Sequence, residues 1–275
     1  MRLRSALLWA LLLVIVTALI VLPAWQPWRP SATGATSGAP TVSPPPAATG
    51  SAAAGRTNAV VSWIVDGDTL DVIFEGARTR VRLLNTDAPE LGHDGAKDQC
   101  LAAASRDALA ALAPKGERVR VIPYGRDRFG RLLAAVYTPD DRLVNRELAA
   151  AGLVAPFVVA GDVRLLRAVR AGRDEAAAAG LGLHGTARCT VAGRFAAAEA
   201  AVDALATRGL SSSERRAART AADALRTRLA RLAADLAGER RYAPVDALSP
   251  DTIATYRSRV DGLRVVLAAK RALLR

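Results

Sequence analysis

An α+β fold with an all-helical extension is predicted by three observations. Five short strand-like runs lie between Ala59 and Tyr137, bounded by turn residues. Helix-like runs follow or interrupt them at Leu101–Ala113, Leu143–Ala151 and Val163–Ala179. From residue 194 onward strand character almost disappears, and Ala, Leu and Arg dominate. A chain of 275 residues accommodates one or two domains. The expected division is a membrane or signal helix over 1–28, a linker over 29–57, a mixed domain over 58–190 and a basic helical domain over 191–275.

The N-terminus carries Arg2 and Arg4, then an uncharged, mostly apolar run from Ala6 to Trp25. Its 20 residues suffice to cross a bilayer as a helix. Cleaved secretory segments have shorter apolar runs, roughly 7–15 residues. Trp25 and Trp28 suit the outer interface, and the arginines suit the cytoplasmic side. The expectation is an uncleaved, single-pass anchor in the cell membrane with an extracytoplasmic folded part. The alternative is secretion after signal cleavage. Residues 29–57, rich in Pro, Ala, Gly, Ser and Thr and including Pro44-Pro45-Pro46, cannot bury a core and read as a tether.

Ala59 to Val65 is rich in branched residues and predicts the first strand. Leu70–Phe74 predicts the second, Glu75-Gly76 a turn, and Arg78–Leu84 the third. Alternation puts Arg80 and Arg82 on one face and Val81 and Leu83 on the other. This meander brings Asp68, Arg82 and Asp87 to one edge. Pro89 stiffens the chain before Glu90. Leu101–Ala113 predicts a helix that stops before Pro114-Lys115-Gly116. Arg118–Ile122 and Leu132–Tyr137 predict strands on either side of an arginine-rich loop, Arg126 to Arg131. Gly152 and Gly180 close the next two helices.

In the tail, Ser211 with Glu214 fits a capping box, with Ser212 and Ser213 as rival caps. Leu225, Leu229, Leu232 and Leu236 then recur at helical spacing. Ser249-Pro250 opens a second stripe of Ile253, Tyr256, Val260, Leu263 and Leu267. With a helix at Ala196–Ala206 these predict a small bundle or an extended antiparallel hairpin. The net charge is +12, unevenly spread. Residues 56–193 hold 19 basic and 17 acidic side chains, and residues 194–275 hold 16 and 9. A basic tail attracts nucleic acid or anionic lipid, although an arginine-rich composition alone would also produce one. Packing or self-association competes with nucleic-acid grip as the tail's role.

Chemistry concentrates in Val65–Glu90 and Arg126–Leu132. Oxygen-only carboxylate ligands suit a hard cation. Arginines suit phosphate, because the guanidinium fork pairs with its oxygens. A cation, a carboxylate base and arginine clamps together make a phosphodiester-cleaving site. Singly, each residue has a bland reading: Asp-Gly is foremost a turn signal, Arg82 an edge-strand charge, Glu90 a loop acid. Jointly, the sequence Asp66-Gly67-Asp68-Thr69, Gly76, Val81-Arg82-Leu83, Asp87-Ala88-Pro89-Glu90 and Asp127-Arg128-Phe129-Gly130-Arg131-Leu132 resembles the staphylococcal nuclease (thermonuclease) family over about Asn58–Gly185.

That resemblance implies a five-stranded OB-type barrel with three helices and calcium-dependent hydrolysis of DNA and RNA to 3′-phosphate fragments. It implies Ca2+ ligation by Asp68, Asp87 and the backbone carbonyl of Ala88. It implies Glu90 as general base, and Arg82 and Arg131 as the catalytic phosphate-binding pair. Arg128, Phe129 and Phe157 are the expected substrate contacts. The chain departs from the family pattern in four places, the first being Ala88 where a Thr is usual, a change that a carbonyl ligand tolerates. Phe129 stands where a phosphate-contacting Tyr is usual, the segment Phe157–Val159 where two nucleotide-flanking tyrosines are usual, and Leu91–Asp98 where a more basic loop is usual. A non-catalytic nucleic-acid-binding module is the competing class, since OB-type barrels also bind oligonucleotides without cutting them. A third class is an envelope interaction protein acting through its helical tail.

Cys100 and Cys189 are the two cysteines, and inferred export favours a disulfide between them over two buried thiols. His93 and His184 have no acidic partner motif and do not suggest zinc. Asp127 is expected to orient its own loop, and Asp71 to face solvent.

Overall fold

The computed structural model describes residues 57–92, 94–239 and 243–275. The expected anchor and nearly all of the expected linker, as well as His93, lie outside the described residues. No described helix is long and apolar enough to cross a membrane.

Five strands close a barrel in the order β1-β2-β3-β6-β5. They are β1 (Ala59–Ile64), β2 (Thr69–Phe74), β3 (Ala77–Leu83), β5 (Arg118–Arg126) and β6 (Leu132–Tyr137). Neighbours pair antiparallel except β3 and β6, which run parallel in the register Arg82↔Leu133. Closure leaves the barrel no free edge. Val61, Leu70, Val72, Val81, Leu83, Val121 and Val136 fill the interior. They sit at alternate strand positions or at the closing ends, as the two-residue period requires.

Buried Asn145 ties the parallel pair together. Its side chain donates to Leu84 O at 2.9 Å and to Ala134 O at 3.3 Å, and accepts from Val136 N at 3.2 Å. Beyond the barrel, β4 (Thr86–Asp87) pairs with β7 (Ala155–Pro156) in a small separate sheet. That pairing was not foreseen, because two-residue strands leave no periodicity to read.

Three helices pack with the barrel segment: α1 (Ala102–Leu112), α2 (Val144–Ala150) and α3 (Leu166–Ala179). Helix α3 begins later than Val163. Asp162 caps the turn before it by accepting from Arg164 N at 3.0 Å, and Leu165 N is drawn to Asn85. Strand β5 runs past Ile122 to Arg126: Pro123 stays in register opposite Ala134, and a bulge at Tyr124 precedes Gly125, which pairs with Leu133. The disulfide Cys100–Cys189 is present, with a Cα–Cα distance of 5.5 Å. It joins the approach to α1 to the segment before the tail.

The tail holds α4 (Val191–Asp203), α5 (Ser212–Ala237), the short α6 (Ala243–Asp246) and α7 (Pro250–Ala272). Helix α4 starts five residues before the expected Ala196, capped by Thr190, whose hydroxyl accepts from Gly193 N at 3.1 Å. The Ser211–Glu214 capping box and the Ser249 cap form as expected. The two leucine stripes meet α4 in one core that includes Phe195, Val202, Leu229, Leu232, Val260 and Leu263. Of the two expected arrangements, the bundle is the one adopted. A further small cluster, Ala155, Leu183 and Ala247 with Leu101, lies against both parts.

A carboxylate and arginine site at one end of the barrel

The β1–β2 turn is built around Asp66. Its Oδ1 accepts from Asp68 N at 2.9 Å, the local bond that makes Asp-Gly turns. Gly67 is required by space. A Cβ there would lie 1.9 Å from Ser105 Oγ and 2.8 Å from Ala88 Cβ. The missing side chain therefore lets this turn press against α1 and against the segment after β4. Asp68, 5% exposed, reaches across that contact, and its Oδ2 accepts from Ala88 N at 2.6 Å.

Arg82 projects from β3, opposite Thr69 of β2. It is 6% exposed and lies between two carboxylates. Nη1 ion-pairs with Asp68 Oδ2, and Nη2 donates to Asp87 Oδ1 at 3.1 Å. Both ends of the guanidinium fork are thus engaged by carboxylates inside the barrel's end. Burial pushes the Asp68 carboxyl up to about 8, against the pull of Arg82, with Asp66 and Asp87 adding to the rise. Glu90 stands exposed at the lip. Its carboxyl is also raised, by desolvation first and then by Asp66 and Asp87, with Arg82 and Arg131 opposing.

The second arginine comes from the β5–β6 loop, ordered by Asp127 as expected. Asp127 Oδ1 accepts from the N–H groups of Phe129 at 2.9 Å and Arg131 at 3.0 Å, and Oδ2 accepts from Arg131 Nε at 2.7 Å. Burial alone would raise its carboxyl, but these bonds hold it below the ordinary range. Arg131 is thereby aimed through Nε, which leaves its Nη groups for a ligand.

Arg82, Asp87, Glu90, Arg131, Arg128, Phe129 and Phe157 all line one cavity of about 560 Å³. Asp68 and Ala88 lie just behind it rather than in its wall. Phe129 is 68% exposed, with the Arg128 and Arg131 guanidinium carbons 4.7 and 5.5 Å from its ring centre. Asp71 is not in the site and does not face solvent. It is 2% exposed and held by Arg78 at 2.8 Å and Arg80 at 2.8 Å. The cross-strand pairing Asp71↔Arg80 brings a cation directly opposite, and that allows a strand carboxylate to be buried. Half-buried His184 lies in the turn Gly182–His184, and burial lowers its pKa.

Two further residues contribute, Arg126, which the sequence places in the arginine-rich loop without a role, and Asn85, which it does not single out. Arg126 lines the cavity and is fixed by donating from Nη1 to Gly130 O at 2.7 Å. Asn85 sits between β3 and β4 at φ 61°, a left-handed position that Asn tolerates. Its side chain donates to Phe157 O at 3.0 Å and Asp162 O at 2.6 Å and accepts from Leu165 N at 3.0 Å. It pins the far wall of the cavity to the barrel. An Asn between two strand runs was the available signal.

The donor set suits a hard cation. Its candidate ligands, Asp68 and Asp87, offer only carboxylate oxygens, one buried and one half-buried. Among the described residues no group of three or more His, Cys, Asp and Glu side chains converges as a metal cluster.

Residues 80–184 match the family model described as staphylococcal nuclease homologue. An "Uncharacterized endonuclease" of Escherichia coli O157:H7 is 39% identical over 89 residues, which is 32% of this chain and 54% of the relative. A "Micrococcal nuclease" of Shigella flexneri is 42% identical over 76 residues, 28% of this chain and 40% of the relative. A "Succinoglycan biosynthesis protein ExoI" of Rhizobium meliloti is 35% identical over 94 residues, 32% and 47% respectively. The chain spans about half the length of the curated relatives it matches.

Proposed function

We propose, from the premise that residues 80–184 are a staphylococcal-nuclease-like domain, that this protein is a calcium-dependent nuclease hydrolysing phosphodiester bonds of DNA or RNA. The observation that carries the reading is the convergence of Arg82, Asp87, Glu90 and Arg131 on one cavity, with Asp68 bonded in behind.

Asp68 and Asp87 with the Ala88 carbonyl are the proposed Ca2+ ligands, water completing a shell that calcium fills flexibly. The bound ion supplies Lewis-acid neutralisation of the phosphate. Glu90, at the solvent lip, takes the proton of the attacking water, and its raised pKa makes it the stronger base. Arg82 is held by two carboxylates and Arg131 by Asp127, so both guanidinium groups are positioned before substrate arrives. Their remaining donors meet the charge that grows on the phosphoryl oxygens in the transition state. Asp127 acts on position only.

We also propose that the Ala6–Trp25 run anchors the protein in the cell membrane with the barrel outside. The Cys100–Cys189 bridge supports an oxidising compartment.

The test incubates the full chain with single- and double-stranded DNA and RNA, with calcium, with magnesium or with chelator. Cleavage with calcium, weaker cleavage with magnesium and none in chelator are expected, because the tight octahedral shell of magnesium fits such a site less well. Full activity in chelator would overturn the calcium assignment, and binding without cleavage under all conditions would overturn the nuclease.

A further inference from the structure

A second cleft of about 500 Å³ adjoins the catalytic cavity and shares Arg126 and Ala160 with it. Its far end is formed by Tyr124 and Arg164. The Arg164 guanidinium carbon lies 4.8 Å from the Tyr124 ring centre, and Nε is held by Asp162 Oδ2 at 3.3 Å. The side chain is nonetheless 57% exposed, as is neighbouring Val163.

This pairing leaves a planar cation over an aromatic ring with its outer side toward solvent. Such a surface takes a nucleobase by stacking or a phosphate by hydrogen bonding. The catalytic cavity has its own exposed ring, Phe129, flanked by arginines. Arg126 lies between the two platforms, so the path from one to the other carries a cation throughout. Aromatic rings alternating with cations along a groove favour a single strand. Its bases are free to stack on side chains, whereas duplex bases are already stacked on each other.

Resting on the nuclease reading above, we propose that Arg164 and Tyr124 form a further nucleotide subsite, on which a strand spanning both clefts seats a nucleotide next to the scissile phosphate. Asn85 holds Phe157 O and Asp162 O together, so one wall of the catalytic cavity and the residue that holds Arg164 are fixed by a single side chain.

The test compares the full chain and its Arg164→Ala and Arg164→Lys variants, in chelator, for binding of thymidine monophosphate and of single-stranded tetranucleotides of DNA and of RNA. A duplex of the same DNA sequence is the control. Arg164 is outside the proposed catalytic set, and its exposure makes misfolding of these variants no concern. Wild type should bind the tetranucleotides tighter than the mononucleotide. Arg164→Ala should lose about tenfold of tetranucleotide affinity, the scale of one lost stack, while the mononucleotide and duplex change less than about twofold. Arg164→Lys should recover only part, since it keeps the charge and loses the plane. A larger loss for one tetranucleotide identifies whether DNA or RNA uses the platform. Equal losses for mononucleotide and tetranucleotide, or no loss for either tetranucleotide, would overturn the proposal while leaving the nuclease reading in place. If wild type bound neither tetranucleotide, the subsite would fall, and the cleavage assay with calcium would decide the nuclease reading separately.

Discussion

Asp68 and Asp71 stand three positions apart on one hairpin and are both buried, yet their surroundings oppose each other. Asp71 is paired with two arginines, and the Arg80 hydrogen bond, set against burial and aided by Arg78, holds its carboxyl below the ordinary range. A carboxylate whose folded pKa is depressed contributes stability above its unfolded pKa and loses it as pH falls through the folded value. Asp71→Asn should therefore cost on the order of 1 kcal/mol at neutral pH, modest because both arginines are more than half exposed. Thermal melts of variant and wild type should converge below the ordinary carboxylate range; a gap that persists there would contradict this account. Asp68, Arg82, Asp87, Glu90 and Arg131 were legible in the sequence because each lies in a compact motif. Arg126 was legible as a member of the arginine-rich loop, whereas Asn85 was not, since its role depends on a loop some 70 to 80 positions away, whose approach no local pattern encodes.

The β1–β2 turn shows how one element sets the site. Gly67→Ala would force Ser105 and Ala88 apart and carry Asp68 with them. Overpacking of this kind costs about 1–3 kcal/mol, so the variant should melt earlier and lose at least about tenfold in turnover. Unchanged turnover would show that this close approach does not position Asp68. The disulfide acts on a longer element, a loop of 89 residues. On the chain-entropy account, reduction should remove up to about 4–5 kcal/mol, read as a lower melting midpoint in reductant. An unchanged midpoint would mean that the barrel and bundle contacts alone fix that loop. At this scale the sequence located every long helix and barrel strand. It misplaced ends where a tertiary partner decides them, as Asn85 does at the start of α3 and the bulge does in β5.

At the scale of the molecule, a nearly charge-balanced barrel carries the site and a basic bundle follows it. The bundle's arginines are partly spent on packing: Arg194 pairs with buried Asp235 at 2.7 Å, and Arg257 donates to Leu236 O at 2.9 Å. Bundle formation was legible from leucine spacing, whereas the start of α4 depended on a Thr190 cap inside a segment read as the end of the barrel domain. In the proposed mechanism Glu90 and Arg82 act in the transition state and not in simple binding. The most direct measurement is single-turnover cleavage and equilibrium oligonucleotide binding, side by side, for wild type, Glu90→Gln and Arg82→Lys. Turnover should fall by on the order of a hundredfold or more in each variant, with binding changed far less. Near wild-type turnover in both variants would contradict the account and leave the barrel as a nucleic-acid-binding module.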